Sequence, residues 1–363
     1  MWIELNSVQL GLATRIVVAS LLTFVLCHVF ALQQSQWAIL TSIIVMQSSV
    51  GASLKATFDR FSGSIGGALW GVCVLLAVPH HTPMEMGVAL SITLIPLALL
   101  AAFKPSFRVA PITAVILLLI PTLQESDPRW VGLDRVFEVG VGSIVALLVS
   151  LVIFPTRAHE TLIKVVSGTL SLLANLSDQL SLAMAGHGDP KAILDLHHSI
   201  RHSIARAENI AEEAARERKS YLVNALDPQP ICRTLRRLRN DLTMIGRAMD
   251  SPFSAPQLSQ LTQTAAQAAT EIANYLRNSA QAFTSREEAP PIVKVNEMLA
   301  AHAEAMAHAR QVGTTRDLPD EMVGRIFSRA FGFKQLSENL QDQEARIDEY
   351  AGKKPAPQKS FLP

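Results

Sequence analysis

The chain has 363 residues, of which 49% are hydrophobic and 17% are charged, with 32 Lys and Arg residues against 31 Asp and Glu residues. The low charged fraction and the mean hydropathy of +0.26 argue against a soluble cytosolic enzyme, and the near-neutral net charge argues against a nucleic acid-binding protein. Three cysteines are too few for a disulfide framework, which leaves a membrane protein as the class that fits.

Charged residues are unevenly distributed along the chain. Residues 1–155 contain seven Lys or Arg and seven Asp or Glu residues, whereas residues 156–363 contain 25 and 24. The density changes at residues 154–157, where Pro155 cannot continue a helix and Arg157 follows. The sequence predicts a transmembrane domain over residues 1–155, a cytoplasmic α-helical domain over residues 156–350 and a disordered tail over residues 351–363.

Six apolar stretches in the first part are each long enough to approach the roughly 20 residues that a helix needs to cross a bilayer. They are Ile16–Leu32, Trp37–Leu54, Phe61–Val78, Met86–Phe103, Phe107–Leu123 and Val136–Phe154. The sequence therefore predicts an all-α protein in which six transmembrane helices precede a cytoplasmic helical bundle.

The basic residues beside these stretches predict the orientation in the membrane. An N-terminus in the cytoplasm places six of them on the cytoplasmic side: Lys55, Arg60, Lys104, Arg108, Arg157 and Lys164. Because Lys and Arg near a membrane segment resist translocation, we expect both termini in the cytoplasm and the segments Pro79–Glu85 and Gln124–Arg129 outside.

Two segments suggest an internal repeat. Asp59-Arg60 recurs as Asp134-Arg135, and Trp37–Val45 is similar to Val109–Leu117. Three helices per repeat would insert the second half in the opposite direction, giving an inverted 3+3 repeat of the kind that transporters use. The alternative is chance similarity among helices built from few residue types.

Four glycines lie close together in the predicted third helix: Gly63, Gly66, Gly67 and Gly71. Gly67 and Gly71 have the small-xxx-small spacing that lets helix backbones approach each other. We expect a close-packed face there, either within one chain or between copies.

Residues Trp37–Gln47 and Gly51–Ala68, with the later Arg135, Glu138 and Gly142, resemble the signature of the fusaric acid resistance and aromatic acid exporter family over about residues 8–155. The resemblance implies a proton-driven efflux protein of the bacterial inner membrane that exports aromatic carboxylic acids or related toxic compounds. Longer members carry two such membrane halves. A single half implies a homo-oligomer, a dimer or higher.

Polar residues near the predicted spans are the candidates for a transport pathway. A carboxylate crossing a region of low dielectric constant needs a cation, for which Lys55, Arg60 and Arg135 are candidates. Trp37 is either part of this pathway or an aromatic residue at the membrane interface. Gln47, which we expect to be buried, either donates to substrate or joins helices.

Proton coupling needs an acid that titrates where water is scarce. Glu138, one turn from Arg135, is the first candidate, and Asp59 is the second. The alternative is that both Asp-Arg pairs only mark helix ends, with the arginines reaching toward lipid headgroups. We expect Arg15 to be an interfacial anchor.

Helical periodicity continues through the second part, broken by segments rich in proline and glycine. The predicted helices are His159–Ala185, Lys191–Leu226, Pro230–Met249, Ala255–Thr284, Ile292–Arg310 and Asp317–Tyr350. The arginines of Leu235–Arg239 are expected to pair with acidic neighbours rather than with lipid.

The sequence carries neither a nucleotide-binding loop nor a nucleophile motif, and His198 and His202 lack the further ligands of a zinc site. We therefore expect neither an enzyme nor a bound metal or cofactor. The expected partners are the lipid bilayer, a small anionic substrate and, for an efflux role, a periplasmic adaptor protein. The alternative function is a channel, or a membrane-anchored scaffold whose cytosolic helices bind other proteins.

Overall fold

The computed structural model describes residues 7–32, 34–79, 82–124, 128–153, 158–219, 226–248, 259–314 and 318–352. All regular structure in this part of the chain is helical. The chain divides into two compact units, residues 1–158 and 159–363. Most of the predicted disordered tail, residues 353–363, lies outside the described residues.

The first unit contains six α-helices. They are α1 (Ser7–Val29), α2 (Ser35–Val45), α3 (Val50–Ala77), α4 (Pro83–Phe103), α5 (Ala110–Gln124) and α6 (Pro128–Val152), with a short 3-10 helix at Pro105–Phe107. By length and composition, α1, α3, α4 and α6 can each cross a membrane, whereas Ser35–Val45 and Pro105–Leu119 are shorter apolar helices. The described residues thus contain four candidate spans where six were predicted.

The predicted second span, Trp37–Leu54, is wrong because two different helices share it. The chain leaves the helical path after Val45, and Ser49 caps the next helix by accepting from the Ala52 N–H at 3.1 Å. Ser53 Oγ accepts from the Gln47 N–H at 2.9 Å, so local hydroxyls satisfy backbone groups at the break.

The two Asp-Arg pairs of this unit lie inside helices, contrary to the predicted boundaries. Helix α3 runs from Val50 through Asp59 and Arg60, and α6 begins at Pro128, before Asp134 and Arg135. The predicted starts at Phe61 and Val136 are therefore wrong, and so is the alternative that the two Asp-Arg pairs mark helix ends. Both arginines are buried, so neither lies at a helix end that meets solvent.

Helices α3 and α6 lie at the centre of the first unit. Helix α3 packs on α2, α4, α5 and α6, and α6 packs on α1, α2, α3 and α5. The contacts made by the first three helices are repeated by the last three. The contact between α1 and α2 corresponds to that between α4 and α5, the contact between α2 and α6 to that between α5 and α3, and the contact between α1 and α6 to that between α4 and α3.

Glycines make equivalent close contacts in the two halves. A Cβ atom on Gly67 of α3 would overlap the carbonyl oxygen of Ala110 in α5, and one on Gly142 of α6 would overlap that of Ala38 in α2. Gly67 and Gly142 are separated along the chain by the same interval as the two Asp-Arg pairs. The two halves therefore share one packing arrangement.

The other glycines of α3 face the same segment of the chain. A Cβ atom on Gly63 would lie 3.1 Å from the Ser106 oxygen, and one on Gly71 would lie 3.2 Å from Ala114 Cα. One on Gly66 would lie 3.1 Å from the Phe107 ring. This glycine face of α3 packs within one chain, against Pro105–Phe107 and α5.

Replacing Gly67 with alanine should destabilise the first unit, because the added methyl group would overlap the Ala110 backbone. Overpacking of this kind costs about 1–3 kcal/mol, which should appear as a lower Tm of the purified protein in detergent. Gly87→Ala is the matched control, because a methyl group at this helical position meets no atom within 4 Å. Equal Tm values for Gly67→Ala and the wild type would contradict the close approach of α3 and α5.

The described part of the second unit contains six helices that pack as a bundle. They are α7 (Ala158–Met184), α8 (Pro190–Lys219), α9 (Gln229–Arg247), α10 (Ser259–Ser285), α11 (Val293–Gln311) and α12 (Asp320–Tyr350). The predicted helices agree in number and order. The predicted end at Leu226 is wrong because Leu226 is not helical, while the predicted termini Met249, Ala255 and Asp317 lie outside the described residues.

Small side chains bring α7 and α10 together in this bundle. The hydroxyls of Ser167 and Ser177 donate to the carbonyl oxygens of Ala280 and Ala269, each at 2.7 Å. On α9, Arg236 pairs with Glu208 and Arg237 lies 3.8 Å from Asp342, which confirms the expected pairing with acidic neighbours for these two arginines. Arg239, the third arginine of Leu235–Arg239, forms no ion pair with a described residue.

His302 of α11 is buried in the second unit, with 2% of its surface exposed. Its Nδ1 lies 3.0 Å from Thr264 Oγ1, and its ring meets the Phe333 ring edge-on at 5.4 Å. Burial, and secondarily the charge of Arg329, lowers the pKa of His302 to about 4. The folded protein therefore holds this imidazole neutral.

Acidification should destabilise the second unit through His302. Its folded pKa of about 4 lies below the ordinary value of 6.5, so between these values the unfolded chain binds a proton that the folded chain does not. Lowering the pH from about 7 to about 5 should cost about 2 kcal/mol of stability, measured by urea unfolding followed by circular dichroism. The stability lost between these two pH values should be smaller in His302→Gln, whose amide keeps a polar partner for Thr264.

His308→Gln provides the control, since His308 is exposed on the same helix. It should retain the pH dependence of the wild-type protein. An undiminished pH dependence in His302→Gln would show that another group is responsible.

Candidate functional site

Four ionisable side chains are buried in the apolar helices of the first unit. Arg15 of α1, Arg60 of α3, and Arg135 and Glu138 of α6 are each less than a tenth exposed. Such groups are costly among apolar helices and mark functional sites by default. None of these arginines forms an ion pair with a carboxylate among the described residues.

Arg135 and Glu138 meet the start of α2. The Arg135 guanidinium carbon lies 4.0 Å from the centre of the Trp37 ring, and Trp37 Nε1 donates to Gln34 Oε1 at 3.1 Å. The Gln34 backbone N–H donates to Glu138 Oε1 at 3.2 Å. Since residues three apart are neighbours on a helix, these four residues form one connected group, the Arg135 cluster.

The Arg135 cluster has unused hydrogen-bonding capacity. Arg135 Nε and Nη1 are buried without a hydrogen-bond partner in the described part of the chain, as is Arg60 Nε. Arg135 interacts electrostatically with both Arg60 and Glu138. Two guanidiniums beside one carboxylate leave positive charge unbalanced, and a buried positive charge is stabilised by an anion.

Buried hydroxyls lie along the same helix contacts. Thr41 of α2, Ser64 of α3, Thr113 of α5 and Ser143 of α6 have no hydrogen-bond partner among the described residues. Sequence reasoning missed these groups, although Thr41 and Thr113 occupy matching positions in the two similar segments. Gln34 was missed as well, and no sequence motif distinguishes it.

Arg15 has a different position from the one predicted. It is fully buried in the interior of α1, so its prediction as an interfacial anchor is wrong. Its Nη2 donates to the Ser48 carbonyl oxygen at 3.0 Å, in the break between α2 and α3. Arg15 therefore satisfies a backbone group that the interrupted helix leaves unpaired.

The remaining predicted residues lie apart from the Arg135 cluster. Gln47 is exposed, which corrects its predicted burial, and its Nε2 donates to the Ile44 carbonyl oxygen at 2.9 Å. Lys55 is exposed and Asp59 is half-buried, and the structure records no hydrogen bond or ion pair from either side chain to a described residue. Successive residues on a helix point in different directions, so Asp59 need not face inward with Arg60.

The sequence model of the fusaric acid resistance protein family matches residues 9–360. The match runs through both units, so the predicted extent of the resemblance, about residues 8–155, is too short. The helical second unit is part of the family sequence as well. Together with the apolar helices, the match indicates a membrane transporter of the resistance type. With nearly the whole chain matched, this protein belongs to the fusaric acid resistance protein family.

Proposed function

We propose that the protein is a secondary active exporter, and not an enzyme, that moves small aromatic or weak-acid compounds across the bacterial inner membrane using the proton gradient. The observation that carries the proposal is the Arg135 cluster, in which a buried guanidinium stacks on an indole ring beside a buried carboxylate. Membership in a family of resistance transporters supports the direction of transport.

The cluster offers complementary groups for an aromatic carboxylate. The free N–H donors of Arg135 and Arg60 would bind the carboxylate, since guanidinium groups suit the planar geometry of that anion. The Trp37 ring provides an aromatic surface next to Arg135. Unpaired hydroxyls of Thr41 and Thr113 supply further donors at the neighbouring helix contacts.

Glu138 is the proposed proton carrier. Protonation would remove the negative charge beside Arg135 and would turn the carboxylate oxygen that faces the Gln34 N–H into part of a neutral acid. In an exporter driven by the proton gradient, Glu138 would take up a proton from the outside and release it to the cytoplasm in exchange for the exported compound. Asp59 is the second candidate, although it is less buried.

We infer that all six helices of the first unit belong to the membrane domain, with both termini and the second unit in the cytoplasm. Helix α2 has 11 residues and spans about 16 Å at 1.5 Å per residue, so it reaches only part of the way across the hydrocarbon core. The backbone break that follows it is tolerated because Arg15 and the nearby serines satisfy its polar groups. The matched packing of the two halves supports an inverted repeat.

We further propose that the transporter is a homo-oligomer of two or more chains. Many large apolar side chains of α1, α4 and α6 are exposed in the single chain, which suits contact with lipid or with another copy: Leu21, Val25, Ile95, Leu99, Phe137 and Leu148. A periplasmic adaptor protein would carry the exported compound beyond the inner membrane.

Helix α4 allows a direct test of the topology, because its two ends should lie on opposite sides of the membrane. Met84 and Lys104 are exposed at these ends. In a background without Cys27, Cys73 and Cys232, an impermeant thiol reagent added to intact cells should label Met84→Cys. It should label Lys104→Cys only after the cells are permeabilised. Labelling of Lys104→Cys in intact cells would refute the proposed orientation.

Transport tests the site itself. In proteoliposomes loaded with radiolabelled benzoate or phthalate, Arg60→Gln and Arg135→Gln should each slow efflux at least about 30-fold, because each removes a buried charge that holds the anion. Arg129→Gln makes the same change at an exposed position of α6 and should stay within about twofold of the wild-type rate.

Glu138→Gln should still bind substrate but lose the response of efflux to an imposed pH gradient, since a permanently neutral group carries no proton. Retention of the wild-type response would remove Glu138 from the mechanism and leave Asp59 to be tested. If Asp59→Asn also responded normally, the channel or scaffold function would replace the proposed one.

A further inference from the structure

The second unit contains a cavity of about 610 Å³ where the end of α7, the start of α8 and one face of α9 meet. Four basic side chains line it: His197 and Arg201 from α8, and Arg239 and Arg247 from α9. No Asp or Glu side chain is among its lining residues within the described part of the chain. The volume is within the range of about 300–1,000 Å³ that is typical of small-molecule sites.

The three arginines of this basic cavity have no other partner in the part of the chain that the structure describes. None of their side chains makes an ion pair or hydrogen bond with a described residue. This distinguishes Arg239 from Arg236 and Arg237 on the same helix, which pair with Glu208 and Asp342.

Two acidic groups near the cavity make contacts of their own. Asp189, in the turn before α8, accepts from the Lys191 N–H at 2.9 Å. Glu321 lines a neighbouring cavity that Arg239 and Arg247 also line, and it pairs with Arg325 at 2.6 Å. Neither carboxylate forms an ion pair with an arginine of the basic cavity.

The three guanidiniums lie near one imidazole. His197 is half-buried, and burial, followed by the charges of Arg239, Arg201 and Arg247, lowers its pKa below the ordinary value; His198 contributes in the same direction. The three arginines and His197 line the same cavity.

An apolar wall completes the basic cavity. Leu180 and Ala183 of α7 and Ile193 of α8 line it opposite the arginines of α9. The turn between α7 and α8 passes close to this wall, since a Cβ atom on Gly188 would lie 2.5 Å from Ala183 Cβ. The start of α8, a helix of 30 residues, lies at the cavity and adds the partial positive charge of its N-terminus.

We propose that this basic cavity binds a small soluble amphipathic anion, a carboxylate attached to an apolar or aromatic body. The carboxylate binds Arg201, Arg239 and Arg247, and the body packs on Leu180 and Ile193. This site belongs to the second unit and shares no residue with the Arg135 cluster, so the inference does not depend on the proposed transport.

Calorimetric titration of the purified full-length protein in detergent with benzoate tests the inference. We expect a Kd on the order of 0.1–1 mM, typical of a ligand of this size. Arg239→Gln and, separately, the more exposed Arg201→Gln should weaken binding at least about tenfold, because each removes a charge-assisted hydrogen-bond donor. Thermal unfolding without ligand checks that each variant is folded.

Two variants locate the bound ligand. Arg233→Gln makes the same change at an exposed position of α9 outside the basic cavity and should keep the wild-type affinity within about twofold. Because Arg135 belongs to the proposed transport site, the titration is repeated in Arg135→Gln, where the benzoate binding that remains should be weakened at least about tenfold by adding Arg239→Gln. Loss of benzoate binding in Arg135→Gln with retention in Arg239→Gln would place the ligand in the first unit and overturn the inference.

Three further outcomes would also overturn it. The first is the absence of benzoate binding to the wild-type protein at about ten times the upper expected Kd. The second is equal affinity for acetate and benzoate, since acetate lacks a body that could contact the apolar wall. The third is tighter binding of inorganic phosphate than of benzoate, which would assign the cavity to another class of anion.

Discussion

A guanidinium buried among apolar helices must find partners for its charge and its N–H donors, and the first unit is organised by this requirement. Arg15 meets it partly with backbone: its Nη2 donates to the carbonyl oxygen that the break after α2 leaves unpaired, while its Nη1 has no hydrogen-bond partner among the described residues. Arg135 meets it partly with the face of Trp37 and the nearby Glu138. The donors that remain unpaired on Arg135 and Arg60 are the chemical basis for an anion site.

The same requirement explains why α2 is short. A helix that continued from Val45 through Ser48 would have no free carbonyl for Arg15, and Ser49 and Ser53 would not satisfy the backbone N–H groups that the break exposes. The break, the two serines and the buried arginine thus depend on one another. The free-energy cost of unpaired backbone groups at the break is offset by residues within one turn of helix and by the Arg15 side chain of α1.

Much of the fold was predicted because long apolar stretches and proline-rich breaks in the sequence indicate where helices run and where they end. The six helices of the second unit follow from periodicity alone, and several boundaries fall within two residues of those observed. The errors share one cause. Lys55, Asp59 and Arg60 were interpreted as the boundary between two helices because charge normally marks the membrane edge. Charge density does not reveal that Arg60 faces other helices.

The candidate site was predicted only in part, for a related reason. Arg135, Glu138 and Trp37 were identified as candidates from their residue types and spacing. Gln34, which connects Trp37 to Glu138, contributes a backbone N–H and a side-chain oxygen whose roles depend on where α2 begins. Gln47, which was predicted to be buried, is exposed because the helix ends before reaching it. Such roles require tertiary structure.

The backbone contacts of Gly67 with Ala110 and of Gly142 with Ala38 have a mechanical consequence. Because main-chain atoms meet there, α3 with α5, and α2 with α6, each behave as a rigid pair whose separation cannot change without breaking the contact. Between the pairs, glycines of α6 meet side chains instead, Gly132 with Val72 and Gly140 with Phe61. Side chains can change rotamer while backbones cannot, so at these glycines a displacement of α3 relative to α6, the helices that carry Arg60 and Arg135, meets less backbone resistance than a displacement within either pair.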